Sequence, residues 1–137
     1  MCAIISKEMS AASRVTARTS PIADGAIVTK AVVRAAARLE LPNRVLARVL
    51  GVSEATVSRM GSGAYQLKRG DKPFEIALLF LRLFRSLDAL AAGDERIAQA
   101  WLRNDNLALG GVPAQLIESL GGMIHVVGYL DAQRAHG

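Results

Sequence analysis

The spacing of apolar residues along this 137-residue chain predicts a protein built from helices. Apolar positions recur three and four residues apart over most of the sequence, which is the repeat of one helix face. Glycine, proline and polar stretches separate these runs. Helices are expected over residues 27–39, 42–50, 54–60, 73–92, 95–103, 113–120 and 123–134. Aromatic residues make up only 4% of the chain, so the core of this all-α fold should be packed from Ala, Leu and Val.

Residues 42–60 predict two short helices joined by a tight turn. Gly51 stands where a chain leaving a helix often needs positive φ, and Ser53 supplies an oxygen to cap the second helix. Ala47 is small enough for the helices to approach closely, and Val57 should point into the angle between them. These features in this order are typical of a helix-turn-helix, which places its second helix in a DNA groove.

The outer face of the second helix carries side chains suited to DNA. Val57 and Met60 fall on the inner side of the helix, whereas Ala55, Ser58 and Arg59 face outwards. Arginine binds guanine through two hydrogen bonds, and hydroxyl side chains bond to bases or phosphates. The predicted DNA-contacting residues are Asn43, Ser53, Glu54, Ala55, Thr56, Ser58, Arg59, Lys68 and Arg69. The alternative is an amphipathic helical hairpin without a DNA partner.

Charge is distributed unevenly along the chain. Residues 1–72 hold 12 Lys and Arg against 5 Asp and Glu, whereas residues 73–137 hold 5 against 7. The basic half contains the helix-turn-helix, as attraction to DNA phosphates requires. Lys68 and Arg69 lie in a predicted loop and are expected to hold phosphates, and Asn43 is expected to cap its helix and touch another phosphate. An ordinary solvated loop is the alternative.

The run over residues 73–92 is apolar around most of its circumference. Charged residues interrupt it, including Arg82, Arg85 and Asp88, and each is costly inside a bilayer, so we expect no membrane span. A helix of this kind is central and covered on two sides, by its own core and by a second subunit. We therefore expect a homodimer, which would present two recognition helices to a palindromic site.

Other functional classes find little support in the sequence. Residues 1–25 lack the apolar core of a secretory signal and are expected to form a flexible basic arm; a mitochondrial presequence is the minor alternative. Cys2 is the only cysteine, which favours a cytoplasmic protein, and His125 and His136 lack companions for a metal site. No catalytic constellation is evident. We expect a binding protein rather than an enzyme, with neither cofactor nor metal.

In the C-terminal half, Ile97, Ala98 and Trp101 are predicted to form the inner face of one helix, with Leu102 at its border. Met123, Val127 and Leu130 should form the inner edge of the last helix. The pair Gly121 and Gly122 is expected to end the helix that begins at Pro113, because glycine commonly terminates helices.

Residues 101–122 carry a family resemblance. Trp101, the stretch Asn-x-x-Leu-Gly-Gly-x-Pro ending at Pro113, and the later Val126, Leu130 and Arg134 resemble the toxin-binding domain of the Xre/MbcA/ParS antitoxins. One departure is Asp105-Asn106, where the family often has Pro-Asn. The resemblance extends over about residues 30–137. It implies an N-terminal helix-turn-helix domain of the Xre/Cro type, followed by a small C-terminal helical toxin-binding domain.

The resemblance implies an antitoxin that binds a cognate RES-domain toxin, an enzyme that consumes NAD. Such antitoxins cover the toxin's active site with the C-terminal domain and repress their own operon by binding operator DNA. Under this interpretation Gly110, Gly111 and Pro113 shape the docking surface, and Tyr129, Leu130 and Arg134 contact the toxin. Leu130 has an alternative role in the domain's own core.

The expected organisation is an arm over residues 1–25, a DNA-binding domain over 26–72, a central helix over 73–92 and a toxin-binding domain over 93–137. Two alternatives remain. One is a dimeric helix-turn-helix transcription repressor without a toxin partner. The other is an interaction module whose helix-turn-helix no longer binds DNA.

Overall fold

Residues 21–136 are described by a computed structural model, and over this range the predicted all-α fold is confirmed. Within residues 21–136, the only β-type pairing is an isolated bridge between Asn106 and Gly111. The helices are α1 (Pro21–Arg38), α2 (Asn43–Leu50), α3 (Glu54–Ser62), α4 (Lys72–Leu90), α5 (Glu95–Arg103), α6 (Pro113–Leu116) and α7 (Leu120–His136). Within residues 21–136 no helix is long and apolar enough to cross a membrane.

The first helix begins earlier than the sequence predicts. It already includes Pro21, six residues before the predicted start at Ile27. The last five residues of the predicted arm are therefore helical, and residues 1–20 of that arm lie outside the described part of the chain. Ile27 is 67% exposed and does not join the core; the buried face begins instead with Gly25 and Thr29.

The expectation that Gly121 and Gly122 end a helix is wrong. The helix that begins at Pro113 ends at Leu116, and both glycines lie in the first turn of α7. Ser119 caps this helix, because its Oγ accepts a hydrogen bond of 3.0 Å from the Gly122 N–H. Glycine is required at position 122 for space, since a Cβ there would lie 1.8 Å from the Leu116 carbonyl oxygen.

Helix α4 is central, as its nearly continuous apolar surface predicts. It packs chiefly on α7 and α1, and it also contacts α2 and α5. Phe80, Leu83 and Leu87 of α4 are buried, and they share one core with Met123 and Leu130 of α7. Helix α4 leaves two large apolar side chains exposed, namely Leu78 and Leu90, and their covering by a second subunit stays a prediction.

Ion pairs connect the helix-turn-helix half to the C-terminal helices. Arg38 Nε donates to Glu95 Oε1 at 2.8 Å, and Arg103 pairs with Glu40 at 2.7 Å. The hydrogen bond to Glu95 raises the pKa of the Arg38 guanidinium. Exposed pairs of this kind contribute little to stability because water screens them, so the buried core fixes the two halves together and the ion pairs refine their orientation.

Candidate functional site

The predicted turn between α2 and α3 is confirmed in detail. Gly51 adopts φ 74° and its N–H donates to the Ala47 carbonyl oxygen at 2.9 Å, closing α2. Ser53 Oγ then accepts from the Thr56 N–H at 3.1 Å and caps α3. Ala47 and Val57 are buried between the helices, so a small residue and a β-branched residue set their close approach.

The outer face of α3 is also arranged as the sequence predicts. Val57 and Met60 are buried, whereas Ala55, Ser58 and Arg59 are exposed. Glu54 is exposed and Thr56 half-buried, so both flank this surface. Arg59 Nε donates to the Ala55 carbonyl oxygen at 3.3 Å, which lays the guanidinium along the helix and leaves its terminal nitrogens available. The arrangement presents short hydrogen-bonding groups and one arginine on a convex helix, a shape that fits a major groove.

Asn43 does not cap α2, contrary to the prediction. It is the first helical residue, the cap position belongs to Pro42, and no side-chain capping bond forms. Asn43 instead lies exposed beside Ser58 in a shared surface cavity of about 310 Å³. Asn43 therefore lies next to the exposed side of α3 even though its predicted capping role is wrong.

The loop after α3 is held against α1 by a buried polar contact. Thr29 Oγ1 donates to the Gly25 carbonyl oxygen at 2.6 Å and accepts from the Leu67 N–H at 2.8 Å. A Cβ at Gly25 would lie 2.3 Å from the Leu67 carbonyl oxygen, so glycine allows this close approach. Buried Leu67 thereby anchors a loop whose next residues, Lys68 and Arg69, are exposed.

Lys68 and Arg69 differ in their surroundings. Lys68 forms no ion pair with any residue between 21 and 136, whereas Arg69 Nη1 pairs with Asp24 Oδ2 at 2.8 Å. The Arg69 side chain is 57% exposed, so this pair contributes little to stability and can be exchanged for a phosphate. The sequence did not indicate Asp24 as a partner, because the two residues are 45 positions apart.

In the C-terminal domain, a tight loop presents the predicted glycines. Asn106 closes it, since the Asn106 N–H donates to the Gly111 carbonyl oxygen at 2.9 Å and its side chain accepts from the Leu109 N–H at 3.2 Å. Gly110 adopts φ 77° and is exposed, and Gly111 is half-buried against Leu116. The loop conformation therefore depends on an asparagine and a glycine at fixed positions.

The other predicted toxin contacts are not all accessible. Leu130 is fully buried in the α4–α7 core, which is its alternative role, and its direct contact with the toxin stays a prediction. Pro113 is fully buried as well and shapes the loop from within. Tyr129 is half-buried and stacks on Trp101 with ring centroids 6.3 Å apart. Arg134 is exposed near the end of α7.

Sequence reasoning missed the exposed apolar residues of this domain. Leu107 is 95% exposed at the loop tip, and Leu120 and Ile124 are 52% and 55% exposed one helical turn apart on α7. Ile97 is 55% exposed, so its predicted inward orientation is wrong, and Leu102, predicted at the border of the inner face, is buried in the core instead. A helical repeat identifies an apolar face but does not say whether neighbouring helices cover it, so only the packed structure separates these residues from the core.

Comparison with protein families matches the two halves of the chain separately. Residues 20–82 match the antitoxin Xre-like helix-turn-helix domain, and residues 86–135 match the antitoxin Xre/MbcA/ParS C-terminal toxin-binding domain. A search of curated proteins gave no match. The two matched domains define an antitoxin of a toxin–antitoxin system that carries a DNA-binding module. The chain belongs to the Xre-type antitoxins.

Proposed function

We propose that this antitoxin neutralises a RES-domain toxin by covering its NAD-consuming active site with the C-terminal domain, and that its helix-turn-helix binds operator DNA and represses its own operon. The observation that carries the proposal is the accessible apolar surface of a domain that belongs to the toxin-binding family. Large exposed apolar side chains on a protein surface commonly mark a partner site.

The proposed toxin-binding surface combines the glycine loop with the outer side of α7. Leu107 projects from the loop that contains Gly110 and Gly111, and Leu120 and Ile124 project from the first turns of α7. Leu116 lies between the two elements, because it contacts Gly111 through its side chain and Gly122 through its carbonyl group. Burying an exposed leucine or isoleucine contributes about 1.5–3 kcal/mol at full burial, so a few such residues supply substantial affinity.

Tyr129 and Arg134 of α7 are further proposed toxin contacts, and Tyr129 lies on the side of the helix opposite Leu120. Tyr129 is held by its stack on Trp101, so its accessible edge has a fixed orientation. Arg134 is exposed and forms no ion pair with the described residues, which leaves its guanidinium able to make charge-assisted bonds to a carboxylate or phosphate. We propose that Arg134 makes such a bond with an anionic group at the entrance of the toxin's cleft.

For DNA, the proposed contacts divide into base readers and phosphate binders. Ala55, Ser58 and Arg59 lie on the exposed side of α3 and are proposed to face the bases, with Ser53, Glu54 and Thr56 beside them. Asn43, Lys68 and Arg69 are proposed to hold the sugar-phosphate backbone on either side.

Two copies would allow two α3 helices to contact successive turns of a palindromic operator, about 34 Å apart. Exposed Leu78 and Leu90 on α4 support the proposed homodimer, because an isolated chain leaves them in contact with water.

The test uses a purified candidate RES-domain toxin from a neighbouring gene and follows NAD consumption while the antitoxin is added. Ile124→Asp should raise the antitoxin concentration for half-inhibition at least about tenfold, since loss of roughly 1.4 kcal/mol has that effect. Ile27→Asp is the matched control, because Ile27 is 67% exposed on α1 in the other domain. Equal inhibition by both variants would show that the apolar surface is not the toxin-binding surface.

A further inference from the structure

Three arginines from two helices line one surface cavity of about 380 Å³. Arg82 and Arg85 come from α4, and Arg134 comes from α7. We propose that this arginine pocket binds a phosphate-type oxyanion carrying two negative charges, as a free ion or as the phosphate groups of a small ligand. The proposal concerns a ligand of the antitoxin itself and does not depend on the identity of the toxin.

A buried hydroxyl group positions the arginines. Ser86 is fully buried between α4 and α7, and its Oγ donates to Asp131 Oδ1 at 3.1 Å. The same Oγ accepts from Arg134 Nη1 at 3.2 Å, and Arg82 Nη2 pairs with Asp131 Oδ2 at 2.7 Å. Ser86 and Asp131 therefore hold two of the three guanidinium groups in fixed positions beside the cavity.

The charges of the pocket are not balanced by the described residues. Three guanidinium groups line the cavity, and Asp131, the one carboxylate bonded to this group, has both oxygens engaged, which leaves a local charge of +2. Arg85 and Arg134 form no ion pair with any residue of the described range 21–136. Bringing like charges together is unfavourable in the absence of an anion, and a doubly charged oxyanion would neutralise the pocket.

Arginine also has the geometry that phosphate recognition requires. Its planar guanidinium presents parallel N–H groups that match two oxygens of a phosphate. Arg85 additionally lines a neighbouring cavity of about 410 Å³, where Leu81 and Phe84 provide apolar surface. A ligand larger than inorganic phosphate can therefore place its anionic part among the arginines and its remaining atoms over this surface.

The experiment measures binding of inorganic phosphate, pyrophosphate and ADP to the full chain by titration calorimetry, with sodium chloride of equal ionic strength as reference. Saturable pyrophosphate binding is expected. Arg85→Gln should raise the dissociation constant about 10- to 100-fold, since a charge-assisted hydrogen bond contributes on that order. Arg96→Gln, which removes an exposed positive charge from α5, should bind like the native chain. ADP binding tighter than pyrophosphate would identify a nucleotide ligand, and equal affinities would identify the phosphate groups alone.

Ser86→Ala separates a built site from a merely positive surface, because it keeps all three arginines while removing their positioning hydroxyl. We expect weaker pyrophosphate binding with an unchanged helical circular dichroism spectrum. Unchanged affinity in both Arg85→Gln and Ser86→Ala would overturn the proposal. So would the absence of binding beyond that seen in chloride. If none of the three probes binds and Arg85→Gln weakens only duplex DNA binding, the pocket contacts the DNA backbone and the proposal is wrong.

Discussion

Replacing Gly122 by alanine tests how the toxin-binding domain is assembled. The added Cβ would lie 1.8 Å from the Leu116 carbonyl oxygen, 2.7 Å from the Leu116 carbonyl carbon and 2.9 Å from Ser119 Oγ. The first two atoms are backbone and cannot rotate away. The α6–α7 junction must therefore open by at least about 1.2 Å to bring the oxygen contact to the 3.0 Å limit of real structures.

The expected loss of stability follows from that displacement. Overpacking a well-packed region costs about 1–3 kcal/mol, and a clash with backbone atoms belongs at the upper end of this range. The same opening lengthens the capping bond from Gly122 N–H to Ser119 Oγ, and loss of a helix cap costs about 1 kcal/mol. We expect Gly122→Ala to lower the free energy of unfolding by roughly 3 kcal/mol.

Urea denaturation followed by circular dichroism measures this change. Gly121→Ala is the control, because it makes the same substitution in the same helical turn and its Cβ meets nothing within 4 Å. It should be neutral or stabilising by up to about 1 kcal/mol, since alanine has the higher helix propensity. Similar effects of the two substitutions would refute the argument that close approach to Leu116 requires glycine at position 122.

Three further predictions concern other parts of the chain. Arg59→Ala should weaken binding to a native operator by about 1–3 kcal/mol in fluorescence anisotropy while sparing toxin inhibition; equal weakening on unrelated DNA would show that Arg59 does not read bases. Thr29→Val should cost about 1–3 kcal/mol in thermal unfolding, because it leaves the buried Leu67 N–H without its acceptor; an unchanged midpoint would contradict this role. Ala92→Gly should raise the free energy of unfolding in urea by up to about 1 kcal/mol, because Ala92 has φ 53° and glycine adopts this left-handed conformation without strain. A lower free energy of unfolding would contradict this.

The helix-turn-helix could be predicted closely because its determinants are local. Gly51, Ser53 and Val57 lie within a few residues of the contacts they make, so the turn, the cap and the buried face follow from spacing. The chemistry of the exposed α3 surface follows from the same helical phase.

The parts of the chain that could not be predicted depend on contacts between distant residues. Gly122 appeared to end a helix, but Ser119 and the Leu116 carbonyl group make it the start of one. The hydrogen bond between Ser86 and Asp131 joins residues 45 positions apart, so no local sequence pattern indicates it. Leu130 could not be assigned between core and toxin contact, because apolar spacing is the same in both cases.

The burial of Leu130 also determines how toxin neutralisation should be tested. Deleting the end of α7 from residue 129 would remove Leu130 from the core, so loss of activity would not distinguish a missing contact from unfolding. Surface substitutions avoid this ambiguity because they leave the α4–α7 core unchanged.

The most direct measurement is cellular NAD and growth during co-expression of this chain with a candidate RES-domain toxin from a neighbouring gene. The toxin alone should deplete NAD and arrest growth, and the native chain and Arg59→Ala should restore both. Ile124→Asp should fail to restore them while accumulating as a folded protein. If the neighbouring gene product does not lower NAD, or the native chain fails to rescue growth, neutralisation of a RES-domain toxin is contradicted and a repressor without a toxin partner becomes the better account.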